Sequence, residues 1–586
     1  MKTDSKNKNT RLEFFSELYE NAKRCISEYH TELDKYMSQY KGSDEIDGSG
    51  ERAVTVRNIT YELIESQISS DVPISKIDPY TYSERHAKCA GSAQRLCSAV
   101  RAHLPFEEMN DLDERYTYIY GGSVWFVEWN NSKSFGGERG GVDVHCISPK
   151  CFIPQPGISR IDDMEYCFLV FTTTRDEVMR RYGISEKDAE LLSCEYSYAD
   201  TPDGSDAVNI TVTFFRDENG EVGQYVFSGD VELSCIDAYY KRKIRVCQKC
   251  GLPEGACSCG ADDFTTIDLH KEPLDEGVRE RFPDLKELSV PYYTPKKFPI
   301  VIRKNTTTDD LVFGQSDCAF IRHEQQAVNK VESRILQKLL RAGVTPVMPE
   351  DATLSLNNSV FGQVIKMKPG EKLDQYGKID TTPDISQDVM EAERLYDHAK
   401  RTLGISDAYQ GIDTGMHESG VAKQLRISQA NNRLESKKKM KYTAYAEIDR
   451  LIFEHYLAFA DEPRQVSYKD AYGRVHSEEF NRRDFLDYDK RTGKLFYDDG
   501  FLFSVDLNGG TEYQREELWQ RNLDNLRTGT LGDATDPVTL LRYWQSQERA
   551  HYPYARENVE YFTRIVDEAG AKNADTAQNN SEKGEI

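Results

Sequence analysis

The chain has no apolar run of about 18 residues, the length a membrane-crossing helix needs, so no membrane span is expected. Its first residues, MKTDSKNKNTRLEFF, lack the apolar core of a secretory leader. There is no GxxxxGK[ST] phosphate loop, no nucleophile elbow and no HExxH. His323-Glu324 comes nearest to the last, but Ala327 stands where its second histidine would be. The expectation is a protein that is not an enzyme and binds no nucleotide. Positive charge is scarce too: 75 Lys and Arg against 99 Asp and Glu leave a net charge of −24. Broad binding to phosphate backbones is thereby excluded, because it needs cations over the whole contact surface. An acidic wall past which DNA slides is not excluded, since such a wall keeps the duplex from sticking.

An even set of cysteines is also missing. There are 13, in a large chain without a visible leader, which argues against a disulfide scaffold. Nine of them (Cys25, Cys89, Cys97, Cys146, Cys151, Cys167, Cys194, Cys235 and Cys318) read as small buried hydrophobes.

What the chain does have is length and aromatic mass. Its 586 residues, with 34 Tyr and 25 Phe, provide for two to four packed units. Phe15, Tyr19, Ala22, Ile26, Tyr29, Leu33 and Tyr36 recur at steps of three and four, which predicts a helix over residues 12–40. Further helices are expected at Asn58–Ser69 and about 83–102. From Tyr116 to about Leu269 the period shifts toward two, in segments such as TYIYGGSVWFVEW, YCFLVFTTT and NITVTFFR. Helices return at Asp317–Arg341, Ser386–Leu403 and Gly420–Phe459, with short strands between the first two. KLFYDDGFLFSVDL reads as a hairpin, and helices follow at about 511–527 and 537–568. The overall class is α+β. Residues 569–586 lack apolar anchors and are expected to be disordered.

Two local features carry chemistry. In CQKCGLPEGACSCG, Cys247 and Cys250 have the spacing of a zinc knuckle, and six residues later Cys257 and Cys259 form a tighter pair. Four thiolates select zinc before other metals. The expectation is one structural Zn2+ per chain, in a ribbon on a hairpin tip at about 236–270. The alternative is four reduced thiols in a loop. The second feature is GVAKQLRISQANNRLESKKKMKY (420–442), with seven Lys or Arg and one Glu in an otherwise acidic chain. Lys423, Arg426, Arg433, Lys437, Lys438, Lys439 and Lys441 read either as a basic belt facing DNA or an adjacent subunit, or as a helix face paired with acidic neighbours.

The order of these segments resembles the portal proteins of tailed bacteriophages, the type found in phages of Gram-positive bacteria. NITYELIESQISSDVPISKIDP (Asn58 to Pro79) looks like the helix and proline-marked exit of the portal wing. In FPIVIRKNTTTDDLVFGQSDCAFIRHEQQAVNKVESRILQ, Phe298, Pro299, Gly314, Ser316, Gln325 or Gln326, Asn329 and Ser333 fit a P…G-x-S…Q…N…S pattern leading into a helix. Gly404-Ile405-Ser406 and Glu418-Ser419-Gly420-x-Ala422 resemble the stretch before the long portal helix. The likeness spans roughly residues 55–460; the cysteine cluster departs from it.

The resemblance implies a wing (1–315, with the 236–270 ribbon inserted), a stem helix (316–342), a clip (343–385) and a second stem helix (386–403). A tunnel-loop region (404–420) would follow, flexible at Gly411, Gly415 and Gly420. Next would come the long helix with a return to the wing (421–510) and crown helices (511–568). It further implies a homo-oligomeric ring, a dodecamer, at one vertex of the virion capsid, assembled in the host cytoplasm. Double-stranded DNA would pass through it in packaging and ejection. Its partners would be the terminase large subunit, the major capsid and scaffolding proteins, and head-completion or adaptor proteins. The competing readings are a minor head or adaptor protein without a channel, and a zinc-containing nucleic-acid-binding protein or enzyme.

Overall fold

A computed structural model describes residues 8–43, 54–192, 206–240, 242–249, 264–269, 271–274, 276–282, 289–308, 312–341, 344–347, 356–359, 362–365, 377–380, 383–405, 420–469, 475–489, 491, 493–505, 512–549, 552, 555, 557–559 and 561–566. The expected tail, 569–586, lies outside them. The fold mixes helix and sheet in the α+β manner. No helix among the described residues is long and apolar enough to cross a membrane.

The body is layered. The N-terminal helix, Lys8–Lys41, lays its aromatic stripe on a five-stranded antiparallel sheet. Phe15, Tyr19 and Ala22 pack there against Phe168, Val170, Phe215, Tyr225 and Phe227, with the Phe15 and Tyr225 rings stacked at 4.3 Å. Alternate residues of the same strand, Cys167 and Leu169, point to the opposite face, as a two-residue period requires. That face meets a three-stranded sheet of Gly122–Phe135, Glu138–Ile147 and Ile300–Lys304. Trp125, Val127, Val142 and Val144 on its far side pack against the long helix, Gly420–Phe459, through Tyr445, Ile448, Ile452 and Tyr456.

From this body project two helices, Asp317–Arg341 and Ser386–Leu403. They run antiparallel. Ile321 and Val328 share a core with Tyr396, Ala399 and Leu403, while Val331 and Ile335 meet Ala392. Further along, Lys338 and Arg334 both reach Asp388. Between the two helices the chain forms two strand pairs: Val344–Val347 with Gly377–Asp380, and Leu356–Ser359 with Gly362–Ile365. The second helix stops where Gly404 takes φ +78, and Ile405 N–H returns to the Lys400 carbonyl at 2.9 Å.

Two expectations need correction. Tyr116–Tyr120 is not strand; it is the last part of the helix Phe106–Tyr120. Gly121, at φ +89, ends that helix and starts the strand, and a Cβ there would sit 2.1 Å from the Gly314 carbonyl oxygen. The segment KLFYDDGFLFSVDL contains two strands, but they do not pair with each other. Lys494–Tyr497 pairs with Leu486–Asp489, and Phe501–Val505 pairs with Ser75–Pro79. Burial of Phe501 in the long-helix core sends the second strand to a partner from the other end of the chain.

Glu454, on the long helix, is 5% exposed. Burial pushes its carboxyl up to about 7, against the opposing pull of Arg450, whose Nε lies 3.2 Å away. A folded-state value above the unfolded one means that the folded protein binds the extra proton. The stability it contributes is therefore present at low pH and lost as pH rises from about 4.5 to 7. Glu454→Gln should remove this loss: its melting temperature, compared with wild type, should gain between pH 5 and pH 8. The gain should correspond to at most about 3 kcal/mol. A constant difference across that range would refute the assignment.

Candidate functional site

The long helix, the projecting helix pair and the body meet at one buried polar junction. Arg303 leaves the end of its strand with a side chain only 1% exposed, and it contacts Asp113 and, at 2.8 Å, Glu114. Asp113 also accepts from Trp125 Nε1 at 3.0 Å and from the Ser123 hydroxyl. Glu114 accepts the Ser69 N–H at 2.9 Å and lies 3.1 Å from Lys441 Nζ. Two carboxylates and two cations thus balance. Burial raises the Glu114 carboxyl, but Arg303 and Lys441 outweigh burial and hold it below its ordinary value. For Lys441 burial dominates, and its ammonium lies below its ordinary value despite Glu114.

One helical turn away is a second node. Asp317 is the first residue of the projecting helix, where the helix dipole favours an anion. It is fully buried and accepts from Lys437 Nζ at 2.7 and 2.8 Å, Asn305 Nδ2 at 2.7 Å and Gln67 Nε2 at 3.0 Å. Lys437 and Lys441 are four residues apart, so both point inward from one face of the long helix.

Polar residues of the P…G-x-S…Q…N…S pattern run from this junction outward along the projecting helix. The Ser316 hydroxyl donates to the Ile119 carbonyl at 2.5 Å and accepts the Cys318 N–H at 3.0 Å, so it caps the projecting helix. Gln325 accepts from the Thr60 N–H at 2.9 Å and donates to the Arg57 carbonyl at 2.8 Å and to Asn329 at 2.9 Å. The Ser333 hydroxyl accepts the Thr55 N–H at 3.1 Å. These side chains fasten the segment 55–60 along the projecting helix.

The basic belt is split by this arrangement. Lys437 and Lys441 are not on an outward band; their charges are spent on Asp317 and Glu114. Lys438 is half-buried, and Lys439 is exposed beside Glu435 at 2.9 Å. The side chains of Lys423, Arg426 and Arg433 lie outside the described residues, as do Gly411 and Gly415, while Gly420 is the first residue of the long helix.

Of the four clustered cysteines, Cys247 is described: it ends the strand Arg242–Cys247 and is 2% exposed. That strand pairs antiparallel with Phe264–Leu269, Cys247 opposite Phe264, and Gln248 Nε2 donates to Thr265 Oγ1 at 2.6 Å. The hairpin base expected for a ribbon is therefore present, while Cys250, Cys257 and Cys259 lie outside the described residues. Comparison of the chain with protein-family models and with curated proteins gives no match.

The two kinds of lysine should separate on mutation. Lys437→Ala leaves buried Asp317 without a cation and Lys441→Ala leaves two buried carboxylates to Arg303 alone, so each should destabilise by roughly 3 kcal/mol. Lys439→Ala removes only an exposed pair and should stay within about 0.5 kcal/mol. Equal effects in denaturant unfolding would contradict the inward placement.

Proposed function

We propose that the chain is the subunit of a tailed-bacteriophage portal: a ring, twelve-fold in the capsid, that seats at one vertex of the virion and passes double-stranded DNA in packaging and ejection. The observation that carries this reading is the antiparallel helix pair with strand pairs inserted between its members, followed directly by a long helix that runs back through the body. The pair corresponds to the stem and the inserted strands to the clip. A head or adaptor protein without a channel has no need of that order.

Two physical features support self-association. The helix pair keeps large apolar side chains in solvent, with Leu340 69% and Met390 65% exposed, an arrangement suited to burial against a neighbouring copy. The strand pairs at its tip are each two-stranded among the described residues, which leaves edges for a further strand. In a closed ring every such contact repeats by symmetry, as does any local charge. Lys438 and Lys439, with Lys423, Arg426 and Arg433, then form the basic band nearest the channel, while the acidic remainder keeps DNA from sticking.

The portal is a passive conduit. With no phosphate loop in the chain, the energy for DNA movement comes from the terminase large subunit docked on the clip. Head-completion or adaptor proteins take that place after packaging, and the wing faces the major capsid and scaffolding proteins. The Cys247, Cys250, Cys257 and Cys259 thiolates hold one structural Zn2+; four protein ligands leave no open position for catalysis.

Electron microscopy of the purified chain tests the ring. The expected image is a closed ring whose hole admits duplex DNA, about 20 Å across; a chain that stays monomeric under assembly conditions would sink the reading. Metal analysis tests the ribbon separately. About one zinc per chain is expected, lost in both Cys247→Ser and Cys259→Ser; an unmetallated wild-type protein would overturn it.

A further inference from the structure

We propose that His86, Asp487 and Asp498 form a divalent-cation site that clasps the helix Glu84–Ala102 to the C-terminal strands of the body. His86 comes from a part of the chain about 400 residues away from the two aspartates, which lie at one strand pair. His86 stands in the first turn of its helix, Asp487 on the strand Leu486–Asp489, and Asp498 just after the strand Lys494–Tyr497. Their ligand atoms lie within 4.8 Å of one another. His86 Nε2 is 3.5 Å from Asp487 Oδ2 and 3.6 Å from Asp498 Oδ2.

The local hydrogen bonds leave these three atoms for a shared partner. Asp487 uses Oδ1 for the Tyr488 N–H at 2.8 Å and for Arg85 at 3.3 Å. Asp498 uses Oδ1 for the Gly500 N–H at 2.9 Å. Both Oδ2 atoms turn to the imidazole. His86 Nδ1 is held by the Ser83 hydroxyl at 2.9 Å, the kind of outer contact that orients a ligating histidine. His86 Nε2 is itself buried and has no hydrogen-bond partner. Its separations from the carboxylates exceed a normal N–H···O bond, so no direct hydrogen bond joins them. Ligands at about 2.0–2.2 Å from a metal stand roughly 3–3.5 Å apart, close to what is seen.

Charge points the same way. Arg85 lies 3.3 Å from one of the two carboxylates, and a divalent cation would meet the charge of the other. One nitrogen and two oxygens suit Mn2+ or Zn2+ rather than the all-oxygen preference of Ca2+. A second group, Glu128, Asp143 and His145, has comparable spacing but is already compensated: Asp143 takes Lys133 and Asn130, and Arg181 lies 3.6 Å from Glu128.

The clasp is independent of the ring and of the cysteine cluster, and its test keeps them apart. Metal-stripped full-length protein is titrated with Mn2+, a poor match for thiolates, and binding is followed by electron paramagnetic resonance and by melting temperature. The expected result is one Mn2+ per chain with a rise in melting temperature. His86→Ala and Asp498→Asn should each abolish both, and Cys250→Ser/Cys257→Ser should retain both. Ser83→Ala keeps all three ligands and should weaken binding at least tenfold, a readout that stands even where a ligand variant folds poorly. Absence of Mn2+ binding, or binding unchanged in the His86, Asp498 and Ser83 variants, would overturn the proposal.

Discussion

The architecture hinges on charges buried where four elements of the molecule meet. Arg303 and Asn305 bring the end of a central strand, Asp113 and Glu114 bring a helix, Asp317 brings the projecting pair, and Lys437 and Lys441 bring the long helix. Each ion taken out of water costs several kcal/mol, and only close pairing together with additional hydrogen bonds offsets this. Such a cluster adds less to stability than an apolar core of the same volume. Its effect is geometric. A slip of the long helix by one residue turns Lys437 and Lys441 by about 100°, leaves Asp317 without its cation and leaves Asp113 and Glu114 to share Arg303 alone, so the helix has one permitted register.

That register matters to everything beyond the body. The projecting helix begins at Asp317 itself, so the direction of the pair and of its inserted strands is set at the residue that Lys437 holds. Gln325 and Ser333 extend the grip along the helix by tying it to residues 55–60. Farther out the contacts change character. Toward the strand insertion, Leu339 and Leu340 face solvent, and the pair depends on a narrow apolar seam with Asp388 between two cations. In the proposed ring this is the expected division: a base fixed within each subunit, and a projecting part completed by its neighbours.

Most helices were legible in the sequence because a 3.6-residue period persists over many turns. Asp317–Arg341, Ser386–Leu403 and Gly420–Phe459 all have the bounds their patterns indicate. The misses share a cause, which is that the deciding partner is remote. Tyr116–Tyr120 alternates like a strand, yet its side chains pack with Leu33, Ile64 and Cys318, an environment that no local pattern reveals. Phe501–Val505 follows a turn-like DDG, yet pairs with Ser75–Pro79. His86, Asp487 and Asp498 carry no motif at all, since nothing in a linear reading sets them side by side. The lysine run left two readings open, an outward belt and a face paired with acidic neighbours, and a signal for the second was there at Lys437 and Lys441. Leu434, Lys437, Lys441, Tyr445, Ile448 and Ile452 follow one another at steps of three and four, so the two lysines stand on the stripe that becomes the core.

This placement changes the electrostatics of the proposed channel. Seven cations on one helix would make a strong belt, repeated by symmetry, and DNA would bind such a belt tightly through counterion release. Two of the seven are neutralised inside the subunit, and Lys439 shares its charge with Glu435. The band that remains is weaker and lies in an acidic chain of net charge −24. A conduit has to centre a polyanion without holding it, because each strong contact made must be broken for the duplex to advance. Burying part of the basic run serves both ends at once. The same lysines that lock the long helix in register are withdrawn from the surface on which, in the proposed channel, they would slow the DNA.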